Sequence, residues 1–175
     1  MRWLARCRAR SWIAAGLELA YLLCYPMIPI GLGTLYVLRL RQYADHYWTV
    51  VLVSTYISYG VLPFLQTMPP RNLAEPWLTP LPQTRARALN LRLLGRASIQ
   101  ANTFPSGHVA ASTGTALVLA AVAPWPIGLV FVIIAAGIAV GAFAGRYHFI
   151  SDVIAGGAVA TIVFLGAQWA GPGLR

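Results

Sequence analysis

Residues 105–108 read Pro-Ser-Gly-His, and well downstream His148 stands four positions before Asp152. These residue types at these spacings suit one kind of chemistry. Ser106 is a strong helix N-cap, and Gly107 lets a ligand come close to the backbone, so the unbonded amides of the first helical turn face outward. Such amides bind anions, phosphate above all. His108 falls in that first turn, where an arriving anion favours the protonated imidazole and hence a proton donor. His148 and Asp152 share a face if a helix begins near residue 147, and a carboxylate on one ring nitrogen leaves the other as nucleophile or base. Arg71, stiffened by Pro69 and Pro70, and Arg146, two residues before His148, add guanidinium groups that grip phosphate oxygens and stabilise a pentacoordinate transition state. Together they describe phosphoryl transfer through a histidine.

The elements that must position these groups lie in a bilayer. The 175-residue chain is 58% hydrophobic and 10% charged, with mean hydropathy +0.66, which excludes an ordinary soluble domain. Its 13 cationic side chains are all arginine against four acids, Glu18, Asp45, Glu75 and Asp152, for a net charge of +9. That balance suits anionic head groups or phosphorylated lipids, and no nucleic-acid partner is expected. The basic start and its apolar continuation read as a retained anchor helix, and no disulfide is expected between Cys7 and Cys24. Apolar runs at about 11–38, 47–65, 106–123, 126–144 and 151–170 predict an all-α integral-membrane bundle of about five transmembrane helices, six if the first run, which carries Pro26 and Pro29, splits.

The whole chain, 1–175, reads as a single membrane domain. Residues 66–105 form its long polar loop, in which Arg85, Arg92 and Arg96 share one face of an expected interfacial helix. Arg87, on the apolar side, interrupts that pattern. Residues 106–165 form the core carrying the chemical motifs. The Pro124-Trp125-Pro126 turn reverses the chain, so two crossings return residues 145–152 to the loop side. Arg71, His108, Arg146, His148 and Asp152 then meet at one membrane face, with His46 on the other.

"FPSGH" (104–108), followed after about forty residues by "HFISD" (148–152), resembles the second and third signature motifs of the type 2 phosphatidic acid phosphatase superfamily of membrane lipid phosphatases and phosphotransferases. The resemblance implies that His148 is the nucleophile forming a phosphohistidine, oriented by Asp152. It implies that His108 is the general acid, that Ser106, Gly107 and Arg71 hold phosphate oxygens, and that neither metal nor other cofactor is needed. Two positions depart from the pattern: Phe64 stands where the first motif has a lysine, and Ala142 where the third has an arginine. In this the chain is similar to the branch containing inositol phosphorylceramide and sphingomyelin synthases, and Arg146 is the candidate substitute cation. The implied substrate is a lipid phosphate or a polyprenyl diphosphate, and the implied location is the cell membrane, with multiple passes.

Water or a lipid hydroxyl can resolve a phosphohistidine, so a hydrolase and a phosphotransferase share these residues. A short chain with small loops favours the hydrolase. Three other readings use the same residues. Ser106 with His148 as base would make an intramembrane protease, which leaves Arg71 and Arg146 without a role. His108, His148 and Asp152 are also a conceivable metal site. A non-catalytic lipid-binding protein would use the polar groups only for packing. The positive-inside rule, applied to Arg2, Arg6, Arg8 and Arg10, puts the motif face in the cytoplasm, whereas the resemblance implies the outer face.

Overall fold

A computed structural model describes residues 11–65, 67–73, 81–97 and 104–170. Seven α-helices account for most of them, and there is no strand among the described residues. The first apolar run is two helices, α1 (Ser11–Leu22) and α2 (Cys24–Val37), bent by 54° at Leu23. Pro26 explains where the bend falls. It lacks the N–H that would bond to the Leu22 carbonyl, and its ring crowds that carbonyl, so the chain restarts at Cys24. The Met27 N–H bonds to Leu23 O at 3.0 Å as α2 begins. Pro29 is accommodated inside α2. The N-terminal arginines used for orientation, and Cys7, lie outside the described residues. Cys24 is a buried free thiol.

After a 3-10 turn at Arg41–Tyr43 comes α3 (Ala44–Val61). Its Tyr47 is fully buried, donates to the Ile28 carbonyl at 2.6 Å and lies 3.2 Å from the Thr115 hydroxyl. One phenol thus joins α2, α3 and α5 (Gly107–Val122). Ser54 and Ser58, also buried in α3, return their hydroxyls to the carbonyls of Val50 and Ser54, leaving the helix surface apolar.

The central helix is α5. It packs against α2, α3, α6 (Trp125–Ala144) and α7 (Ile150–Ala170), and buries residues around its whole circumference. The main core gathers Met27, Leu35, Tyr47, Val50, Leu119 and Ile138 around it. Between α5 and α6 the chain reverses at Pro124, as expected from the Pro-Trp-Pro turn. Within the polar region lies α4 (Arg85–Ala97), which packs on α1.

By length and composition, α6 and α7 can each cross a membrane, and the bent α1–α2 pair is apolar enough to form a broken span or a re-entrant loop. The sequence reading expected about five. Helix α5 has 16 residues, about 24 Å at 1.5 Å per residue, short of a hydrocarbon core of about 30 Å. The Pro-Ser-Gly-His entrance delays its start to Gly107, and neighbouring helices enclose it. The first turn of α3 is polar, with Asp45 and His46.

Where α7 passes the entrance of α5, the backbones nearly touch. A Cβ at Gly156 would stand 2.4 Å from the Ser106 carbonyl oxygen, whereas one at Gly157 would meet nothing within 4 Å. Gly156→Ala is therefore expected to destabilise the protein by about 1–3 kcal/mol through overpacking. Gly157→Ala should be neutral, or stabilising by up to about 1 kcal/mol from helix propensity. Thermal unfolding of both variants in detergent checks this contrast.

Candidate active site

The two histidine motifs meet because two helix entrances are joined backbone to backbone. Ser106 occupies the N-cap of α5 in extended conformation, and its hydroxyl accepts the Val109 N–H at 3.4 Å, as expected of its residue type. Its own N–H donates to the Asp152 carbonyl at 3.0 Å. Asp152 lies in the first turn of α7, where its Oδ2 accepts the Phe149 N–H at 3.0 Å and its Oδ1 accepts the Ser151 hydroxyl at 3.1 Å. This is the carboxylate half of a capping box, and it fixes the Asp152 side chain while the main chain holds Ser106.

The His148 Nδ1 is 3.5 Å from Asp152 Oδ2. Carboxylate and ring come together, with Nδ1 toward the acid and Nε2 on the other edge of the ring. Helix α7 begins only at Ile150, however, so the pair closes across the turn leading into the helix and not along a helical face starting near residue 147. Across the site, the His108 and His148 ring centroids are 6.2 Å apart at 57°. Tyr21 and Tyr25 lie against His108 at 5.9 and 5.5 Å between centroids. Gly107 is buried, and the position its Cβ would take is 2.5 Å from the Tyr59 ring. A side chain here would make the exposed Tyr59 ring shift, independently of any ligand. On the far side, the His46 ring packs against Phe164 in the C-terminal half of α7, at the end of the helix away from His148.

Arg71 lies in a 3-10 turn, Pro70–Asn72, beside this site. Its backbone N–H donates to the Arg146 carbonyl at 3.0 Å, and its guanidinium carbon is 5.7 Å from the centre of the Tyr147 ring. The turn after α6 that holds Arg146 is tight. The N–H groups of Tyr147 and His148 both donate to the Ala142 carbonyl, at 2.9 and 3.1 Å, and Arg146 has a left-handed backbone with φ 61°. Arg146 is half-buried, and burial, then the charge of Arg87, lowers its pKa from the ordinary arginine value. Burial also lowers that of Arg71. An anion beside either guanidinium would offset that penalty.

The positions that depart from the family pattern are placed unambiguously. Phe64 is 84% exposed and Ala142 is fully buried. Ala142 packs among Tyr21, Leu94, Val109 and Tyr147, so a long cationic side chain at that position would have to displace this cluster.

Sequence reasoning missed a second polar group beside the site. Glu18, buried in α1, accepts from Arg87 Nη1 at 2.8 Å and from Asn90 Nδ2 at 2.6 Å, and it also takes the Tyr147 hydroxyl hydrogen bond. Arg87 donates further to the Gly145 carbonyl at 3.2 Å. The signals were present: a lone carboxylate in an apolar run, and an arginine on the face of α4 expected to be apolar. Arg87, Asn90 and Leu94 are the buried face of α4, while Arg85, Arg92 and Arg96 are exposed.

A family model for the PAP2 superfamily matches residues 1–166. No curated protein and no solved structure matches the chain.

Because Arg146 has a left-handed backbone, Arg146→Gly separates charge from conformation. Affinity for orthovanadate, a phosphate mimic, should fall by about tenfold or more with the loss of a charge-assisted contact, with the thermal midpoint measured alongside. Unchanged vanadate affinity in this variant, alongside a loss in Arg71→Ala, would show that Arg146 contributes nothing to anion binding.

Proposed function

The chain belongs to the PAP2 superfamily, and on that premise we propose that it is a multi-pass protein of the cell membrane that hydrolyses a lipid phosphate or polyprenyl diphosphate through a phosphohistidine. The observation that carries the proposal is the backbone bond from Ser106 to Asp152, which places the His108 and His148 rings across a 6.2 Å gap, with Asp152 on the Nδ1 side of His148.

In the first step His148 Nε2 attacks phosphorus, and the bond to the leaving oxygen breaks. His108, protonated when the anionic substrate is bound, gives its proton to that oxygen, so a neutral lipid alcohol or a lipid monophosphate departs. Asp152, through Nδ1, holds the tautomer with Nε2 free and stabilises the positive charge on the phosphorylated ring. In the second step neutral His108 takes a proton from water as the water oxygen attacks phosphorus. The P–N bond breaks, inorganic phosphate leaves, and His148 is regenerated. Ser106, Gly107, Arg71 and Arg146 hold the equatorial oxygens, the arginines supplying the positive charge that the transition state needs. The leaving group extends into the bilayer, where the exposed apolar helix faces lie.

Protein purified in detergent with a chelator present is expected to release phosphate from one or more of a panel of lipid phosphates and diphosphates. His148→Ala should abolish the activity, and His108→Ala should lower it by about 100- to 10,000-fold. Activity that requires an added metal ion, or that survives in His148→Ala, would contradict the proposal. Product that appears only with a lipid-alcohol acceptor would identify a phosphotransferase.

A further inference from the structure

The buried group centred on Glu18 has no part in the chemistry above, yet it grips the turn that carries His148. Glu18 lies on α1, a helix that supplies none of the proposed catalytic groups, and is 5% exposed. A carboxylate in such a place is costly unless fully paired. It is paired three times, with the Arg87 guanidinium, the Asn90 amide and the Tyr147 hydroxyl. Asn90 Nδ2 also reaches the Glu18 carbonyl oxygen, at 2.9 Å. The Tyr147 phenol is pushed above its ordinary pKa by burial and then by its bond to Glu18, which keeps it a hydrogen-bond donor.

Two of these partners act directly on the turn at 145–148. Arg87 holds the Gly145 carbonyl, and Tyr147 anchors its own backbone, next in sequence to His148. Tyr147 is 1% exposed and stacks on Tyr21 at 4.3 Å and 11°, so its ring is held on a face as well as at its hydroxyl. The Arg71 guanidinium carbon is 5.7 Å from the centre of the same ring. Between Gly145 and Tyr147 stands Arg146 with φ 61°, the left-handed residue of the turn that ends α6, as Arg39 with φ 59° is of the turn that ends α2. The Ala142 carbonyl fixes the turn on one side. The Glu18 group fixes it on the other.

We propose that Glu18 is a positioning residue which, through Tyr147 and Arg87, locks the 145–148 turn and thereby sets the direction of the His148 ring. The catalytic meaning of that lock rests on the phosphohistidine reading, but the lock itself does not. Its loss would free the His148 ring without removing any group that touches phosphate. Glu18→Gln leaves Arg87 buried without its counter-charge and also weakens the fold. Tyr147→Phe is the cleaner probe, since it removes one hydroxyl and keeps the stack on Tyr21.

The test compares wild-type and Tyr147→Phe proteins in detergent, with thermal midpoints measured alongside. The first readout is the rate at which diethyl pyrocarbonate modifies His148, followed by mass spectrometry, with His46 at the far end of the bundle as internal control. The second is the split between kcat and KM. The expected result is several-fold faster modification of His148 with His46 unchanged and the thermal midpoint largely retained. With an active substrate in hand, kcat should fall by about tenfold or more with little change in KM, since displacing a reacting group by about 1 Å costs up to about 100-fold. Unchanged His148 reactivity in a well-folded variant would overturn the proposal, as would faster modification of both histidines in step with a lowered thermal midpoint. Faster His148 modification in a protein that hydrolyses no lipid phosphate would leave the lock standing and remove the phosphatase reading.

Discussion

The hydrogen bond from the Ser106 N–H to the Asp152 carbonyl is the constraint on which the site depends. It joins the N-terminus of α5 to the first turn of α7, so two helix entrances open at one place. Each entrance is already capped from within, by the Ser106 hydroxyl on α5 and by the Asp152 carboxylate on α7. The joint is possible only because Gly156 lets α7 lie against the Ser106 carbonyl. A histidine in the first turn of α5 and another just before α7 are then brought face to face by the backbone. Histidines held in this way need little reorganisation when an anion arrives, and preorganisation is where much of catalytic power resides.

Charge is distributed in a similar economy. Arg71, Arg87 and Arg146 stand near the Tyr147 turn, and Glu18 pairs with Arg87. In the low dielectric of a membrane bundle, guanidinium groups repel one another and lose hydration. Glu18 offsets that cost for Arg87, while burial leaves Arg71 and Arg146 with a penalty that a bound phosphate would relieve. Phe64 and Ala142, where the family pattern has cations, are respectively exposed and enclosed in apolar packing. Arg71 and Arg146 stand instead beside the Tyr147 turn, Arg146 with a left-handed backbone.

Much of this was legible in the sequence. Apolar runs mark the helices, Pro-Ser-Gly-His marks the start of α5, and the Pro-Trp-Pro turn returns residues 145–152 to the side of His108. His148 and Asp152 do pair, but α7 starts at Ile150, so His148 precedes the helix and does not share its face. The location of the bend in the first run was harder, since Pro26 and Pro29 both lie there and only the backbone shows that the chain restarts at Cys24 rather than at Pro29. Least legible was the Glu18 group. Its members are far apart in the chain, and periodicity describes a helix face without saying which neighbour covers it. Arg87 disturbed the amphipathic pattern of α4 because its partner is a carboxylate buried in α1. A polar residue that spoils an apolar face was the available clue, and its meaning depended on a tertiary contact.

The central claim is that His148 becomes covalently phosphorylated. Its most direct measurement is to mix the protein with a 32P-labelled lipid phosphate, quench in alkali, and map the label by mass spectrometry. An acid-labile, alkali-stable phosphoryl group on His148, formed fast enough to account for turnover, is the predicted result. Turnover without any label on His148, or with label on Ser106, would contradict it.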